Sequence, residues 1–324
     1  MQVCCRGLFA ALGALWVAFT PLPAAAQDTY PSRPVKIVVP FPPGGAADAL
    51  TRIVADKVAA RLGQPFIVES KAGASGNIGA ELVASARPDG YTLMSSPPPP
   101  LVINQSLFAQ LAFDPGRFVP ITVIAGAPNV LVAHPRLRAS TTGELIAQAK
   151  AAPGVLNYAS TGSGGTPHLT AEWFKFATGV QLTHIPYKGA QAYPALLAGE
   201  VDVMFMTLGD ALPHIRSGGL KALAVGSEQR VAALPTVPTL AETIPGFVST
   251  TWFAIVATPG TPPAIAQKLS AAFNEALQLP EIVLKLVGLS FEPIGGTPAQ
   301  TEAFFKQETQ RWRQVIRAAQ IKAD

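Results

Sequence analysis

Two glycine-rich turns are the segments of this sequence whose residue types and spacing could bind a ligand. One spans residues 40–48 and mixes proline with glycine; the other spans residues 160–168 and mixes hydroxyl side chains with glycine. A helical pattern follows each turn, and the start of a helix offers unpaired backbone N–H groups and about half a positive charge. Both turns are therefore predicted anion sites. For the first, a plain strand-to-helix turn capped by Asp48 fits equally well.

Neither turn carries the signature of an enzyme. The second ends without the Gly-Lys-Ser/Thr of a P-loop, and the spacing of a dinucleotide-binding turn is absent. Ser163 and Ser75 lack the G-x-S-x-G frame of a hydrolase nucleophile. The four histidines show no metal-binding spacing. We therefore predict no catalytic residue, no metal site and no cofactor.

Two further loops, at residues 71–79 and 184–189, offer polar side chains. Lys71 and Lys188 could each bring a positive charge to the site, although a solvated lysine is the simpler interpretation of either.

The elements that must position these loops alternate between short apolar runs and helical patterns, which predicts βα units with parallel strands. Residues 35–73 contain a strand, the first turn, a helix and a strand, and residues 155–189 repeat that order. Two equivalent units predict two α/β lobes, and ligands of such sheets bind outside the carboxyl ends of the strands. The cleft between the lobes is therefore the predicted site.

The individual elements follow from the same pattern. Helices are predicted over residues 47–62, ended by Gly63, and over residues 297–319. Strands are predicted at residues 35–39, 66–69, 92–94, 129–133, 156–158, 182–185, 201–205, 222–225 and 253–257.

The composition limits the class of protein. Of 324 residues, 49% are apolar, which argues against a disordered chain. Only 14% are charged, against about 25% in a typical soluble domain. A net charge of +4 without a basic cluster argues against nucleic-acid binding. With so few charges, a polar ligand is expected to be held by backbone groups and neutral side chains.

Residues 1–26 have the pattern of a secretory signal peptide, with Arg6, an apolar run and small residues before the cleavage site. The apolar run is short for a membrane span, which needs about 20 residues, and an uncleaved anchor is the alternative. Cys4 and Cys5 lie in this segment, so cleavage after Ala26 would leave a mature chain without disulfides. That mature chain is not expected to span a membrane.

An ordered set of short motifs runs through nearly the whole predicted mature chain. They are Tyr-Pro-Ser-Arg-Pro-Val at 30–35, Pro-Phe-Pro-Pro-Gly-Gly at 40–45, Pro-Asp-Gly-Tyr-Thr-Leu at 88–93, His-Ile-Pro-Tyr-Lys-Gly at 184–189, Gly-Glu-Val-Asp-Val-Met-Phe at 199–205 and Leu-Pro-Thr-Val-Pro-Thr at 234–239. Each is short, but together they resemble the Bug family of extracytoplasmic solute-binding receptors of tripartite tricarboxylate transporters.

The resemblance implies an α/β, two-lobed periplasmic-binding-protein "Venus flytrap" fold with two crossover segments, near Ile124 and Phe253. Lobe 1 would comprise residues 27–124 and 254–324, and lobe 2 residues 125–253.

The resemblance also implies a monomeric periplasmic receptor, not an enzyme. It would capture a small organic carboxylate in the cleft, mainly through main-chain N–H groups and bridging waters of the two turns. It would deliver the ligand to integral-membrane transporter subunits, in transient contact. A secreted enzyme acting on a carboxylate-bearing substrate, or the ligand-binding subunit of a sensory system, are the alternatives.

Three departures from the family pattern bear on the ligand. Ser95 and Ser96 precede the prolines at 97–100, so this loop offers hydroxyls and shape in place of N–H donors. Thr207 stands close to where relatives often carry an aspartate, and Tyr193 where a more polar stretch is common. Without an acid to receive a ligand amine, an apolar or aromatic carboxylate is a better expected ligand than an amino acid.

The candidate ligand-binding residues are Phe41, Pro43, Gly44, Gly45, Ser75, Asn77, Ser96, Ser160, Thr161, Gly164, Gly165, Thr166, His168, Tyr187, Lys188 and Thr207.

Overall fold

The computed structural model describes residues 30–187 and 189–321. The predicted signal peptide with Cys4 and Cys5, the cleavage point after Ala26, and Lys188 all lie outside the described residues. Within the described part, no helix is both long and apolar enough to cross a membrane.

Strands and helices alternate through most of the described chain. The strands are β1 (Val35–Val39), β2 (Phe66–Ser70), β3 (Thr92–Ser96), β4 (Val119–Ala133), β5 (Asn157–Ser160), β6 (Thr183–Pro186), β7 (Val203–Thr207), β8 (Lys221–Val225), β9 (Thr250–Ala257) and β10 (Glu292–Gly295). The α-helices are α1 (Ala46–Leu62), α2 (Asn77–Ala84), α3 (Asn104–Leu107), α4 (Thr142–Ala151), α5 (Thr166–Thr178), α6 (Ala192–Ala198), α7 (Leu208–Arg216), α8 (Pro263–Leu277), α9 (Pro280–Gly288) and α10 (Pro298–Ala318).

The strands form two parallel groups joined by two antiparallel strands. Their order is β2-β1-β3-β9-β4-β7-β5-β6, and β8 and β10 also pair with β4. In β4, residues 119–128 pair with β9, whereas residues 129–133 pair with β7. β4 therefore runs through both groups and changes partner between Pro128 and Asn129, which produces two α/β lobes that share this long strand.

Local sequence explains where the longest helices begin and end. Gly63 adopts the left-handed conformation (φ 72°) that ends α1, as the sequence predicts, because glycine has no Cβ to oppose it. At α10, Thr297 Oγ1 accepts the N–H of Gln300, and Gln300 Oε1 accepts the N–H of Thr297. This capping box fixes the start of the amphipathic helix predicted there.

A buried acid joins α10 to the crossover strand β9. Trp252 and Trp312 are each 1% exposed, and their indole Nε1 atoms lie 2.9 and 3.3 Å from Glu308 Oε2. Arg311 Nη1 lies 2.9 Å from Glu308 Oε1. The carboxylate, itself 1% exposed, is thus fully paired, as a buried charge must be.

Every predicted strand overlaps a strand of the structure, but β10 and residues 119–128 of β4 were not predicted. Pro120 and Pro128 cannot donate to a ladder and usually argue against a strand. Here both prolines lie in the part of β4 that pairs with β9.

Candidate functional site

The first glycine-rich turn leads directly into α1. Gly45 is the N-cap, and no side chain of the described residues caps the helix start. Asp48 is not the cap but lies in the first turn, where its Oδ2 accepts the N–H of Gly44 at 3.2 Å. Arg52 pairs with the same carboxylate and holds the pKa of Asp48 below its usual value. The turn is thus stiffened from within, and the first N–H groups of α1 lack intrahelical acceptors.

The loop before α2 packs on that turn in a left-handed conformation. Gly73, Ala74, Ser75 and Gly76 all have positive φ, which is costly for the two that are not glycine. Gly76 has φ 89°, and a Cβ placed there would lie 3.2 Å from the ring of Phe41, so glycine suits both the backbone conformation and the close approach of the two loops. The ring of Phe41 therefore lies close to the loop that carries Ser75.

Asn104, at the start of α3, holds this loop from behind and was not predicted. Its side chain is fully buried, and its Nδ2 donates to the carbonyl of Ser75 at 3.0 Å and to Asn77 Oδ1 at 2.6 Å. The Oδ1 atom of Asn104 is also buried and has no hydrogen-bond partner among the described residues. Sequence reasoning missed Asn104 because nothing in its spacing separates it from an ordinary loop asparagine.

The proline-rich loop after β3 is buried. Ser95 and Ser96 are fully buried, and the Ser96 hydroxyl donates to the carbonyl of Pro97 at 2.9 Å. The Ser95 hydroxyl lies 2.6 Å from the Thr51 hydroxyl of α1. Both hydroxyls therefore have partners within the protein, and the contributions of shape and hydroxyls expected from this loop stay predictions.

The second glycine-rich turn leads into α5 in the same manner as the first leads into α1. Gly165 is the N-cap, again without a side-chain cap among the described residues. Gly164 has φ 85°, and its N–H donates to His168 Nδ1 at 3.1 Å. The backbone N–H of Tyr187 donates to the carbonyl of Ser160 at 3.0 Å, and that of Gly189 to Thr161 at 3.1 Å. This turn is thus folded against Tyr187 and Gly189.

Three rings stack beneath the second turn. The His168 and His184 ring centroids are 4.4 Å apart, and those of His184 and Tyr158 are 4.7 Å apart. His184 Nε2 lies 2.7 Å from Ser160 Oγ, which also accepts the N–H of Gly162. His168 is only 5% exposed. The stack therefore supports the turn from below and fixes both of its ends.

The two lobes meet at Gly164. A Cβ placed there would lie 2.8 Å from Leu107 Cδ2 and 3.9 Å from Ser75 Oγ. Ser75 and Leu107 belong to the lobe of β1–β3, whereas Gly164 belongs to the lobe of β5–β7. The second turn therefore faces the left-handed loop across the cleft.

Thr207 lies at the end of β7, beside Asp210, an acid that was not predicted to lie here. Its hydroxyl donates to Asp210 Oδ2 at 2.5 Å, and the Tyr193 hydroxyl donates to the same oxygen at 2.9 Å. Burial and the Asp210 charge raise the pKa of Tyr193. The expectation that no acidic group lies here is wrong, because Asp210 is one helical turn beyond the position considered.

Asp210 and the first turn line one cavity of about 480 Å³. Gly44 and Gly45 line this cavity from one lobe, and Asp210 and Arg216 of α7 line it from the other. Leu289 also lines the cavity. Pro43 is exposed at the edge of this turn, and Lys71 is exposed to solvent. The predicted residues thus fall into two neighbouring groups, one around Ser75 and Gly164 and one around Gly45 and Asp210.

The described residues contain no group of three or more His, Cys, Asp or Glu side chains that could hold a metal ion. Two α/β lobes with an uncapped helix start behind a glycine-rich turn in each define a solute-binding protein of the two-lobed type. The chain belongs to the tripartite tricarboxylate transporter family receptor group, whose family model matches residues 50–321. The resemblance to Bug receptors and the two-lobed fold expected from the sequence are confirmed.

The chain is similar to a named family member and to solved structures of receptors. Protein BugT of Bordetella pertussis is 41% identical over 294 residues, covering 90% of each chain. A structure of Rpa4515 from R. palustris with adipate is 34% identical with a TM-score of 0.83, covering 91% of this chain and 100% of that one. MatC from Rhodopseudomonas palustris with bound malate is 31% identical with a TM-score of 0.79, covering 89% and 100%. Members of this family are periplasmic receptors, that is, binding proteins.

Proposed function

We propose that this chain is a periplasmic receptor that captures a small organic carboxylate between its lobes. The observation that carries the proposal is the pair of uncapped helix starts at Gly45 and Gly165, one in each lobe. Both helices are long enough, at 17 and 13 residues, for their N-terminal N–H groups to attract an anion. The adipate and malate bound by Rpa4515 and MatC support the same ligand class.

Backbone donors are sufficient for useful affinity. Micromolar binding corresponds to about −8 kcal/mol. Three or four hydrogen bonds to a charged carboxylate, at roughly 1.5–3 kcal/mol each, supply that amount before the entropy cost of association. The sites proposed for these bonds are the starts of α1 and α5, with Ser75, Thr161 and Tyr187 lining the cleft.

No catalytic side chain is required for this role, and we propose that the protein is not an enzyme. The proposed mechanism is closure of the lobes about the two crossover segments, biased by contacts that form only in the closed state. Lobe 1 would comprise residues 27–124 and 254–324, and lobe 2 residues 125–253. The receptor would leave the cytoplasm by a signal peptide cleaved after Ala26 and deliver its ligand to membrane subunits of a tripartite transporter.

The ligand class is tested by thermal-shift and calorimetric screening of the purified mature chain. Adipate, malate, monocarboxylates, hydroxy acids and amino acids form one arm, and amines of matched chain length form the other. Stabilisation by carboxylates with stoichiometric binding and no product supports the proposal. Stabilisation by amines alone, or turnover of a bound acid, contradicts it.

The helix starts are tested by Gly45→Asp and Gly165→Asp. Gly45 has extended backbone (φ −78°, ψ 173°) and a Cβ there meets only Pro42 O at 3.6 Å, so an aspartate fits as an N-cap. It would occupy the free N–H groups and add a negative charge, and we expect binding to fall at least about a hundredfold while thermal stability holds or rises.

Gly143→Asp is the matched control. It adds the same charge to the first turn of α4, where a Cβ at Gly143 meets no atom within 4 Å. Gly143→Asp should bind the acid as the unmodified chain does. Unchanged binding in Gly45→Asp and Gly165→Asp would place the carboxylate elsewhere.

A further inference from the structure

A chain of buried hydroxyl and amide groups connects the crossover strands to the second turn. Thr251 Oγ1 donates to Asn129 Oδ1 at 3.0 Å, and Asn129 Nδ2 donates to Ser249 Oγ at 2.8 Å. Ser249 Oγ lies 2.5 Å from Thr170 Oγ1, which donates to the carbonyl of Thr166 at 2.7 Å. All five residues are at most 6% exposed, so water does not substitute for these bonds.

The direction of every bond in this chain is fixed by one acceptor. A carbonyl oxygen can only accept, so the single proton of the Thr170 hydroxyl goes to Thr166. Ser249 must then donate to Thr170, and its oxygen receives the Asn129 amide. The Asn129 oxygen is left to accept from Thr251. Bonds aligned in one direction polarise and strengthen one another in a low-dielectric interior.

The backbone is tightly packed where this chain of hydrogen bonds begins. Asn129 is the first residue of β4 that pairs with β7, and its N–H donates to the carbonyl of Ser249 at 3.0 Å. The N–H of Gly226 donates to the carbonyl of Asn129 at 2.6 Å, and a Cβ at Gly226 would lie 2.4 Å from Ser249 O. No side chain fits there, so three backbone segments are locked together at this point.

The end of the chain lies at the proposed ligand site. Thr166 is the first residue of α5, directly after the N-cap Gly165. We propose that Thr170 and Ser249 are positioning residues that fix the first turn of α5, and with it the donors of the second turn, relative to the crossover strands. This inference rests on the proposed carboxylate site at Gly165.

The other lobe carries the same arrangement. Thr51 of α1 is fully buried, and its hydroxyl lies 2.5 Å from the carbonyl of Ala47 and 2.6 Å from Ser95 Oγ of β3. In both lobes a buried threonine therefore ties the first turn of the helix to a buried serine, which is Ser95 on β3 in one lobe and Ser249, just before β9, in the other. The recurrence in two helices of different sequence supports a role at the helix start.

The test is Thr170→Val, which keeps the shape of the side chain and removes the hydroxyl. Thr170→Ser restores the hydroxyl, and Thr301→Val is the matched control. Thr301 is 1% exposed and donates to the carbonyl four residues back at 3.0 Å, but it lies on α10. Calorimetry would give Kd for the acid that the unmodified chain binds best, alongside Tm and amide hydrogen exchange.

Thr170→Val is expected to weaken binding of the acid about fivefold to tenfold. In binding free energy this corresponds to the contribution of roughly one hydrogen bond. Hydrogen exchange should speed up at residues 161–169, and Thr170→Ser should recover most of the affinity. Thr301→Val should lower the Tm about as much as Thr170→Val does but leave Kd unchanged, because far below the Tm nearly all molecules remain folded.

Two results would overturn this inference. One is an unchanged Kd in Thr170→Val, and the other is an equal loss of affinity in Thr301→Val. Failure of the proposed function is a separate outcome, because the unmodified chain would then bind none of the acids. Ser249→Ala, which breaks the chain one link earlier, provides a second measurement if Thr170→Val does not fold.

Discussion

Gly164 approaches Leu107 closely across the cleft, so a carbon added at Gly164 requires the Leu107 side chain or the lobe that carries it to move. A Cβ on Gly164 would approach Leu107 Cδ2 to 2.8 Å, well inside normal contact distance. The two residues belong to different lobes, so the fit between them depends on how far the lobes close. This contact makes closure sensitive to side-chain size at one position.

Gly164→Ala is therefore expected to hold the lobes apart and to weaken carboxylate binding by about tenfold or more, about 1.4 kcal/mol. Titration calorimetry measures the change. Gly154→Ala is the control, because Gly154 has a similar positive φ of 76° and nothing within 4 Å of its Cβ position. Both variants should lose stability from backbone strain, but only Gly164→Ala should lose affinity.

A second substitution distinguishes a steric effect from a backbone effect. Leu107→Ala removes the obstructing methyl group, so the double variant Gly164→Ala/Leu107→Ala should regain part of the affinity lost by Gly164→Ala. If the double variant binds no better, the collision with Leu107 is not the cause.

Asn104→Ala is expected to release the left-handed loop at residues 73–76. The variant leaves the carbonyl of Ser75 and the side chain of Asn77 without their shared donor, in a loop that already contains strained positive φ values. We expect a loss of about 1–3 kcal/mol in the free energy of unfolding and weaker binding as well. Urea unfolding and calorimetry measure the two effects.

Gln105→Ala is the control for a substitution close to Asn104 that does not touch the loop. Gln105 is adjacent in sequence, but its Nε2 donates to Thr309 of α10 at 3.3 Å instead. It should leave binding unchanged. Equal binding by Asn104→Ala and the unmodified chain would remove Asn104 from the site.

Glu308→Ala is expected to destabilise the fold by about 3 kcal/mol, because two buried indole N–H groups and Arg311 lose their acceptor. Glu308→Gln keeps an acceptor and should cost less. Glu302→Ala removes an exposed partner of Lys306 on the same helix and should change the free energy of unfolding by under about 0.5 kcal/mol. Similar losses in the Glu308 and Glu302 variants would contradict the buried acid's role.

Asp48 is expected to cause part of the loss of stability at low pH. Its pKa is lowered in the folded chain, first by the hydrogen bond from Arg52, so the stabilisation is present above the unfolded value of 3.8. It is lost as the pH falls through the lower folded value. Asp48→Asn should therefore be less stable at neutral pH and lose less stability below pH 3.8 than the unmodified chain. Asp56→Asn, at an exposed carboxylate of the same helix, serves as control, and urea midpoints against pH provide the measurement.

The fold followed from the sequence where local pattern decides the structure. Helix α1 with its terminal Gly63, the amphipathic α10 and both glycine-rich turns were predicted because periodicity and glycine placement are local properties. The first ten residues of β4 were not, because their prolines suggest a break. A long partner strand, which local sequence does not reveal, overrides that preference.

Only part of the candidate site could be predicted from the sequence. The turns at Gly45 and Gly165 stand out by composition, and their use as ligand-binding residues stays a prediction. Asn104, Asp210 and Ser249 could not be found in this way, since their contacts come from residues distant in sequence. The departures from the family pattern suggested that no acid lies near Thr207, and the geometry at Asp210 removes that argument against an amino-acid ligand.

We propose above all that backbone N–H groups at the starts of α1 and α5 hold the ligand carboxylate. A crystal structure of the mature chain with the tightest-binding acid from the screen tests it most directly. We expect carboxylate oxygens within about 3.2 Å of backbone nitrogens in the first turns of both α1 and α5. A ligand seated instead in the cavity of about 830 Å³ along α10, against Lys306 and Arg313, would contradict it.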